Sequence, residues 1–363
     1  MLHFLQEEDI WTRLSGEKRP IFLYGMGNGA EKILHEFSRC GIRAAGLFAS
    51  DEFVRGHSFR GYPVRRYADI CAEYPDFLVV LAFATHDPAV LARIAAMHQE
   101  HEVLAPDVPV AGEGIFNRAF MAAHEAEFAA VYDLLADDIS RYIYAQVLNF
   151  KISGKVDYLF HSATPKEEVY TSLLRVGPAE YFVDLGAYDG DTIRELLAHT
   201  DGQYAEITAI EPDPKNFKKL TRFAQTLEKP IDCRNIGVHS QAGVLRFSPC
   251  AGRNSRVLAG PGKYLEVPVD TVDHMMAGKQ VSLLKMDVEG CEMEALCGAE
   301  ETIRSQRPKL YVCAYHRNED LFALPLKIHE LCNDYQIYLR HPPYLPAWET
   351  NFYAVCPPRS SIG

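Results

Sequence analysis

The chain has few basic residues for its size and no long apolar run. Lys and Arg total 37 of its 363 residues against 49 Asp and Glu, which gives a net charge of −12. Such an acidic chain offers no general electrostatic attraction to nucleic acid or to an anionic membrane surface. The longest apolar run, residues 77–84, is less than half of the roughly 20 residues that a membrane-spanning helix needs. We therefore predict neither a nucleic-acid partner nor a membrane span.

Cysteines at metal-site spacing are also missing. The chain has nine cysteines, an odd number that cannot all pair, and none of them forms a Cys-x-x-Cys motif. This usage is typical of a reduced compartment. The N-terminus carries acidic residues where a secretory signal needs a basic start followed by an apolar run. The sequence therefore predicts a cytoplasmic protein.

Strand-like runs alternate with helix-like runs in two separate series. Between them, from residue 115 to residue 150, apolar residues recur at spacings of three and four with no Gly or Pro, a pattern typical of packed helices. At roughly 150 residues per domain, the length also favours two hydrophobic cores. We predict an α/β protein with two Rossmann-like parallel-sheet domains, at residues 1–111 and 170–363, joined by a helical connector at residues 112–169.

A glycine-containing turn follows the first predicted strand. Gly25-x-Gly27-x-x-Ala30 fits the relaxed dinucleotide fingerprint. Asp51, the acid that would hold a ribose, lies slightly further along the chain than this fingerprint expects. With this turn as the cofactor site, the protein would be an NAD(P)-dependent oxidoreductase or a nucleotide-sugar-binding protein. A plain scaffold or a homodimer surface is the remaining interpretation of this domain.

A sharper pattern lies in the second domain. An apolar strand ends in Asp184, a turn with Gly186 and Gly190 follows, and the next strand ends at Glu211, 27 residues after Asp184. Glycines in such a turn let a ligand lie against bare backbone, and an acid after the second strand can hold a ribose diol. The turn is therefore the predicted cofactor site.

The acids around this turn indicate the charge of the ligand. Asp184, Asp189 and Asp191 would repel the pyrophosphate of a dinucleotide and attract a cation. S-adenosylmethionine carries a sulfonium, an ammonium, a ribose and an adenine, and the adenine would lie near Asn235. We therefore predict S-adenosylmethionine as the cofactor. The alternative is that the acids only cap the helix that begins near Thr192.

Four segments resemble the FkbM-type S-adenosylmethionine-dependent methyltransferases: residues 184–190, 211–214, 267–273 and 284–292. The string Lys-x-Asp-x-Glu-Gly-x-Glu in the last segment is the most specific mark, and the resemblance spans about residues 170–355. It implies a class I methyltransferase sheet of seven strands with an antiparallel last strand, and O-methylation of sugars and natural products. The predicted cofactor-binding residues are Asp184, Gly186, Ala187, Tyr188, Gly190, Asp191, Thr192, Glu211, Asp213 and Asn235.

Methyl transfer to a hydroxyl needs a base, and the strand ends of the second domain supply candidates. His316 is our first choice because histidine titrates nearest neutral pH, although a structural histidine bonded to a loop carbonyl is the alternative. Asp287 would be another base or would orient the hydroxyl, and Glu289 would share this role or cap the next helix. His341 follows the sixth strand and completes the predicted catalytic set.

The same four residues would offer nitrogen and oxygen ligands to a divalent metal ion. They have no metal-site spacing along the chain, so a bound metal is not favoured. Arg340 would clamp an anionic group of the acceptor, and the glycine-containing loop at residues 249–263, with Asn254 and Arg256, would act as a lid. Together these features predict an S-adenosylmethionine-dependent O-methyltransferase that acts on a small molecule or glycan, at a hydroxyl of a sugar or a related natural product.

Overall fold

The computed structural model describes residue 5 and residues 7–54, 56–247 and 265–357. The predicted lid at residues 249–263, with Asn254 and Arg256, lies outside these residues and stays a prediction. Among the helices described, none combines the length and the apolar content needed to cross a bilayer.

The first unit is built around a sheet of six strands. Its elements are α1 (Ile10–Gly16), β1 (Ile21–Tyr24), α2 (Asn28–Cys40), β2 (Gly46–Ala49), a 3-10 turn (Asp51–Phe53), β3 (Ser58–Phe59), β4 (Tyr62–Arg66), α3 (Tyr67–Glu73), β5 (Leu78–Leu81), α4 (Pro88–Glu100) and β6 (Val103–Leu104). The strand order is β3-β4-β2-β1-β5-β6, and each pair is parallel except β3 with β4. β1, β2 and β5 are buried along their whole length, which is why they read as unbroken apolar runs.

Helices then follow without an intervening strand, as predicted for the connector. They are α5 (Arg118–Ala123), α6 (Glu125–Leu134), α7 (Asp138–Ser153), α8 (Asp157–Phe160), α9 (Lys166–Glu168) and a π-helical turn (Val169–Leu173). The longest, α7, begins where the Asp137 carboxylate accepts the backbone N–H of Ser140. It ends at Gly154, which adopts the left-handed conformation common after a helix C-terminus.

The second unit contains a seven-stranded sheet. Its elements are β7 (Tyr181–Leu185), α10 (Asp191–His199), β8 (Glu206–Ile210), α11 (Pro214–Ala224), β9 (Asp232–Arg234), β10 (Gly237–Val238), β11 (Gly243–Phe247), β12 (Leu265–Asp270), α12 (Val272–Met275), β13 (Leu283–Met286), α13 (Glu292–Cys297), α14 (Glu300–Gln306), β14 (Lys309–Cys313), α15 (Asp320–Leu331), β15 (Gln336–Arg340) and β16 (Asn351–Val355). The strand order is β15-β16-β14-β13-β7-β8-β9, and β16 is antiparallel to both of its neighbours. The predicted fold class, with its seven-stranded sheet and antiparallel last strand, is confirmed.

Two features of this unit differ from the expectation. The sequence predicts one helix over residues 293–303, but the structure divides this segment into α13 and α14. A Cβ on Gly298 would lie 2.3 Å from the carbonyl oxygen of His239, so another backbone segment presses against the break. In addition, β10, β12 and β11 form a small separate sheet beside the main one.

One continuous apolar cluster joins the two units, where the length predicts two separate cores. It includes Phe22 and Val79 of the first sheet, Leu148 of α7, and Leu284 and Ile337 of the second sheet. α7 packs against β15, so the connector is itself part of the shared core. The carboxyl ends of β7, β8, β13 and β14 are thereby held at one edge of the second sheet, where ligands of such sheets bind.

Candidate active site

Two glycines in the left-handed region shape the turn after β7. Gly186 has φ +82° and Gly190 has φ +90°, values that residues with a Cβ rarely adopt. A Cβ on Gly186 would lie 1.8 Å from the carbonyl oxygen of Asp287, and one on Gly190 would lie 2.3 Å from the ring of Phe223. The backbone of the turn therefore runs close against the segment after β13, and side chains are excluded at both positions.

Asp184, near the end of β7, is fully buried. Lys285 Nζ lies 3.2 Å from Asp184 Oδ1, because the two residues are register partners on β7 and β13. Within the described residues, neither carboxylate oxygen of Asp184 accepts a hydrogen bond. Burial raises the pKa of Asp184 to about 6, against the opposing charge of Lys285. Asp184 is thus a buried acceptor with unused hydrogen-bonding capacity beside the glycine turn.

Lys285 connects this carboxylate to the neighbouring strand end. Its ammonium lies 3.8 Å from the carboxylate of Asp287 and donates a hydrogen bond of 3.2 Å to the carbonyl of Gly186. Burial opposes the positive charge, but Asp184 and Asp287 outweigh it and hold the pKa of Lys285 well above its ordinary value. The buried ammonium of Lys285 therefore contacts a carboxylate at the end of β7 and another at the end of β13.

Glu211 lies beyond the end of β8 and is only 6% exposed. Its carboxylate accepts the backbone N–H groups of Tyr188 and Asp213, each at 2.8 Å. Burial raises the pKa of Glu211 to about 7, although these two N–H donors act in the opposite direction. The side chain of Asn235 donates to the carbonyls of Glu211 and Pro212 at 2.8 and 3.0 Å, which fixes the backbone beside this carboxylate.

Several of the predicted cofactor residues have local structural roles. The Asp191 carboxylate accepts the N–H of Thr192 at 2.8 Å, and Asp213 caps the first turn of α11. Asp189 forms an ion pair with Arg194 at 3.0 Å. Asp191 therefore lies in the first turn of α10, but the N-cap of this helix is Gly190 and carries no side-chain cap, so the interpretation of the acids as caps of this helix is not supported.

The two residues after Gly186 face different surroundings. Ala187 is fully buried under the turn. Tyr188 has φ +46° and is 42% exposed, and the ammonium of Lys219 lies 5.0 Å from the centre of its ring. An exposed aromatic ring and a cation thus flank the open side of the cofactor turn.

Three acidic side chains surround His316, which follows β14 and is fully buried. Its Nδ1 lies 3.0 Å from Glu292 Oε1, and its Nε2 lies 3.5 Å from Asp287 Oδ1 and 3.6 Å from Glu289 Oε2. We call Asp287, Glu289, Glu292 and His316 the rim cluster. The cluster lies next to the cofactor turn, because the carbonyl of Asp287 touches Gly186.

The charges of the rim cluster decide the protonation state of its histidine. Burial lowers the pKa of His316, but Glu292, Asp287 and Glu289 outweigh burial and raise it to about 10. His316 in this arrangement holds its proton at neutral pH and cannot accept another. The prediction of His316 as the general base is therefore not supported by its surroundings, and the partly exposed carboxylates of Asp287 and Glu289 are the better candidates.

His341 and Arg340 do not join the rim cluster. His341 is fully buried, with Nδ1 3.0 Å from the Thr350 hydroxyl and Nε2 3.1 Å from the Tyr344 carbonyl oxygen. Burial lowers its pKa to about 4. Arg340 is 2% exposed and pairs with Asp137 at 2.8 Å. Both residues are bound within the protein, contrary to the catalytic role expected for His341 and the acceptor clamp expected for Arg340.

Packing explains Gly25 and Gly29 in the glycine turn of the first unit, whereas Gly27, with φ +147°, has nothing within 4 Å of its Cβ position. A Cβ on Gly25 would lie 2.6 Å from the ring of Phe83, and one on Gly29 would lie 2.4 Å from the carbonyl oxygen of Ala82. Ala30 is fully buried in α2. These contacts require small residues where α2 starts beside the end of β5, and a nucleotide at this turn stays a prediction.

Sequence reasoning missed Lys285 and Glu292 as site residues. Both belong to the Lys-x-Asp-x-Glu-Gly-x-Glu string, but neither was given a role. Lys285 and Asp287 are two residues apart, the spacing that places side chains on one face of a strand, and this was the available signal for Lys285. The side chain of Glu292 accepts the N–H groups of Val288 and Gly290, which precede it in the chain, at 2.9 and 3.3 Å. Only the folded turn shows these contacts.

Residues 184–336 match the family model of the methyltransferase FkbM domain. No curated protein matches the chain. Among solved structures, the methyltransferase FkbM from Methylobacillus flagellatus is similar over 95% of this chain and 92% of its own, with 22% identity and a TM-score of 0.70. An rRNA methylase from Streptococcus thermophilus covers 53% of this chain and 94% of its own, at 16% identity and a TM-score of 0.34. Fibrillarin from Aeropyrum pernix, solved with bound S-adenosyl-L-methionine, covers 52% and 73%, at 13% identity and a TM-score of 0.32.

The first of these likenesses shows that the fold of the whole chain, including its first unit, is that of the Methylobacillus flagellatus protein. The latter two are too weak to bear on function. The segment that matches the family model begins at Asp184 and contains the cofactor turn, Glu211 and the whole rim cluster. The chain therefore carries, at residues 184–336, a segment that matches the methyltransferase FkbM domain.

Proposed function

We propose that the protein transfers the methyl group of S-adenosylmethionine to a hydroxyl of a sugar, a glycan or a related natural product. The observation that carries this proposal is the double contact of Lys285, whose ammonium lies 3.2 Å from Asp184 and 3.8 Å from Asp287. Asp184 stands beside the cofactor turn and Asp287 stands on the rim cluster. A cofactor and an acceptor bound at these two places would therefore be neighbours.

The residues of the cofactor turn fit S-adenosylmethionine by shape and by charge. Gly186 and Gly190 leave bare backbone where a Cβ would collide with neighbouring atoms. Asp184 is paired with Lys285, but its carboxylate oxygens accept no hydrogen bond of good geometry within the described residues, and it would attract the cationic methionine part of the cofactor. Glu211 would hold the ribose diol. When bound, the cofactor supplies a methyl group activated by a sulfonium.

The carboxylates of the rim cluster would prepare the acceptor. The side chains of Asp287 and Glu289 are 26% and 43% exposed, so they can reach a substrate, whereas Glu292 and His316 are buried. The acceptor oxygen would attack the methyl carbon in line with the carbon–sulfur bond, whose electron pair passes to sulfur, while the hydroxyl proton passes to one of these carboxylates. Tyr315 donates a hydrogen bond of 3.3 Å to Asp287 and orients it.

The cofactor half of the proposal is tested by calorimetric titration with S-adenosylhomocysteine. We expect the wild-type protein to bind one equivalent, and Glu211→Gln to weaken binding at least tenfold because the amide is a poorer acceptor for the ribose hydroxyls. The matched control is Glu206→Gln, at the other end of β8, where the side chain pairs with Lys279 on the surface at 2.7 Å. Its affinity should stay unchanged. Absence of binding at millimolar ligand would overturn the assignment.

The acceptor half needs a panel of hydroxyl compounds. Purified protein and labelled S-adenosylmethionine are incubated with sugars, glycans and polyhydroxylated natural products, and the products are analysed by NMR for methyl ethers. We expect a methyl ether from at least one compound and far slower turnover with Asp287→Asn. Methylation only of nitrogen or carbon acceptors would show that the O-methyl part of the proposal is wrong.

A further inference from the structure

We propose that Asp287, Glu292 and His316 bind a divalent metal ion, with positions left open for the oxygen of the acceptor. The binding site stands on the geometry of the rim cluster alone, whereas its use in catalysis rests on the function proposed above. Each of the three residues offers one ligand atom, and these atoms all lie within 4.8 Å of one another.

The distances within the cluster approach those of one metal site. Glu292 Oε1 lies 3.0 Å from Nδ1 of His316 and Asp287 Oδ1 lies 3.5 Å from Nε2, and one ligand atom from each residue falls within 4.8 Å of the others. Neighbouring nitrogen and oxygen ligands at about 2.1 Å from one metal ion are roughly 3.0 to 3.5 Å apart. A side-chain rotation that brings one ring nitrogen and both carboxylates to this spacing would complete the site.

Unused polar atoms point to a missing ligand. Within the described residues, Glu292 Oε2 has no hydrogen-bond partner, and the ring nitrogens of His316 face carboxylates at 3.0 to 3.6 Å without a hydrogen bond of good geometry. Both side chains are about 1% exposed or less, so bulk water does not satisfy them. Buried polar atoms of native proteins nearly always have partners, which makes these atoms a sign of a site.

The balance of charge also favours a cation. Three carboxylates, those of Asp287, Glu289 and Glu292, surround the single imidazole of His316. Lys285 reaches Asp287, but it is already paired with Asp184. Carboxylates in excess of cations in a largely buried cluster are costly unless they are protonated or bind a metal. A divalent ion would displace the proton of His316 to solvent and add a positive charge to the cluster.

The ligand set indicates the class of ion and its use. One imidazole with two carboxylates suits Mn²⁺, Mg²⁺ or Zn²⁺. The partly exposed side of Asp287 leaves the ion open toward the acceptor. A hydroxyl bound there would lose its proton more readily, and Glu289, which is not among the three ligands, is placed to receive it.

The test uses the full chain after treatment with EDTA and transfer to metal-free buffer. Mn²⁺ is titrated in and the free ion is followed by its EPR signal, with Mg²⁺ and Zn²⁺ measured by calorimetry. We expect one Mn²⁺ per chain with micromolar affinity. Asp287→Asn and Glu292→Gln should weaken binding at least tenfold. The control Glu300→Gln, an exposed carboxylate paired with Arg304, should leave it unchanged.

Binding of S-adenosylhomocysteine by each variant separates this proposal from the previous one. Glu292 also holds two backbone N–H groups, so Asp287→Asn, whose side chain is partly exposed, decides the matter if Glu292→Gln does not fold. No binding of any of the three ions at millimolar concentration overturns the metal site. Mn²⁺ binding that is equally strong in Asp287→Asn also overturns it. Either result leaves cofactor binding untouched, and loss of cofactor binding alone would leave the metal site standing.

Discussion

Single residues of the second unit differ in what balances their buried charge. Asp184 has the ammonium of Lys285 beside it, whereas Glu211 has only two backbone N–H donors. Burial outweighs these partners in both cases and raises the pKa of Glu211 from 4.5 to about 7 and that of Asp184 from 3.8 to about 6. The two acids of the cofactor turn therefore titrate close to physiological pH before the cofactor binds.

Cofactor affinity should consequently depend on pH. The ribose diol needs an ionised Glu211, so affinity should rise as pH increases through 7 and fall by up to about tenfold per pH unit well below it. The stability of the unliganded protein should change in the opposite direction. Glu211 is protonated in the folded chain but ionised in the unfolded one between pH 4.5 and about 7, so its contribution to stability falls as pH rises through that window.

Calorimetric titration of S-adenosylhomocysteine from pH 5.5 to pH 8.5 measures the first effect. Glu211→Gln should bind more weakly and should lose the part of the pH dependence that lies near pH 7. A wild-type affinity that is constant across this range would contradict the role of Glu211 in holding the ribose.

Gly186 is the residue with the tightest backbone approach. Gly186→Ala would place a Cβ 1.8 Å from the carbonyl oxygen of Asp287, so we expect a loss of about 3 kcal/mol or more in the free energy of unfolding, together with loss of cofactor binding. Gly202→Ala is the control, because Gly202 has φ +74° but nothing within 4 Å of its Cβ position. It should lose only about 1 kcal/mol, the cost of the left-handed backbone. Equal losses in urea unfolding would show that the steric argument is wrong.

At the scale of elements, the sequence identifies strands better than it identifies the points where helices are interrupted. The sequence predicts strands over residues 206–210 and 336–340, and β8 and β15 have these bounds, because each is an apolar or alternating run between clear turns. The helix predicted over residues 293–303 is broken at Gly298, where a distant carbonyl approaches. β3, β4 and α3 were not predicted, because β3 has only two residues and β4 is partly exposed and polar. Short elements of this kind depend on their partners more than on their own sequence.

At the scale of the whole molecule, the connector holds the two units together. The N–H of Ala111 donates a hydrogen bond of 2.8 Å to the carbonyl of His316, and a Cβ on Gly290 would lie 2.7 Å from the Cβ of Ala111. The chain that leaves the first unit thus lies directly against the rim cluster. At the other end, α7 is bound to β15 through an ion pair at 2.8 Å between the buried Arg340 and the partly exposed Asp137.

Asp137→Ala tests this attachment. It removes the N-cap of α7 and leaves Arg340 buried beside only the more distant Glu168, so we expect a loss of about 3 kcal/mol in the free energy of unfolding in urea at pH 7. Asp138→Ala is the matched control, since that carboxylate is fully exposed and should change stability by less than about 0.5 kcal/mol. A similar small change for both would show that the attachment contributes little.

The contribution of the Asp137–Arg340 ion pair to the stability of the folded state depends on pH in one direction. Burial opposes ionisation, but Arg340 and Ser140 outweigh it and lower the pKa of Asp137 below 3.8. The pair therefore stabilises the folded state above that pH, and its contribution is lost as pH falls further. The difference between wild type and Asp137→Ala should shrink accordingly.

The sequence by itself determined the α/β class, because the alternation of strand-like and helix-like runs is a local feature, and the resemblance of its motifs implied the seven-stranded sheet. The binding of a cofactor by the glycines and strand-end acids stays a prediction. Only the tertiary structure decided which side chains meet. In the folded chain, Lys285 lies between two carboxylates and Glu292 lies against His316. His341 and Arg340 are buried inside the protein. Proton affinity and ligand sets depend on burial and on neighbours far apart in the chain, and no local pattern encodes these.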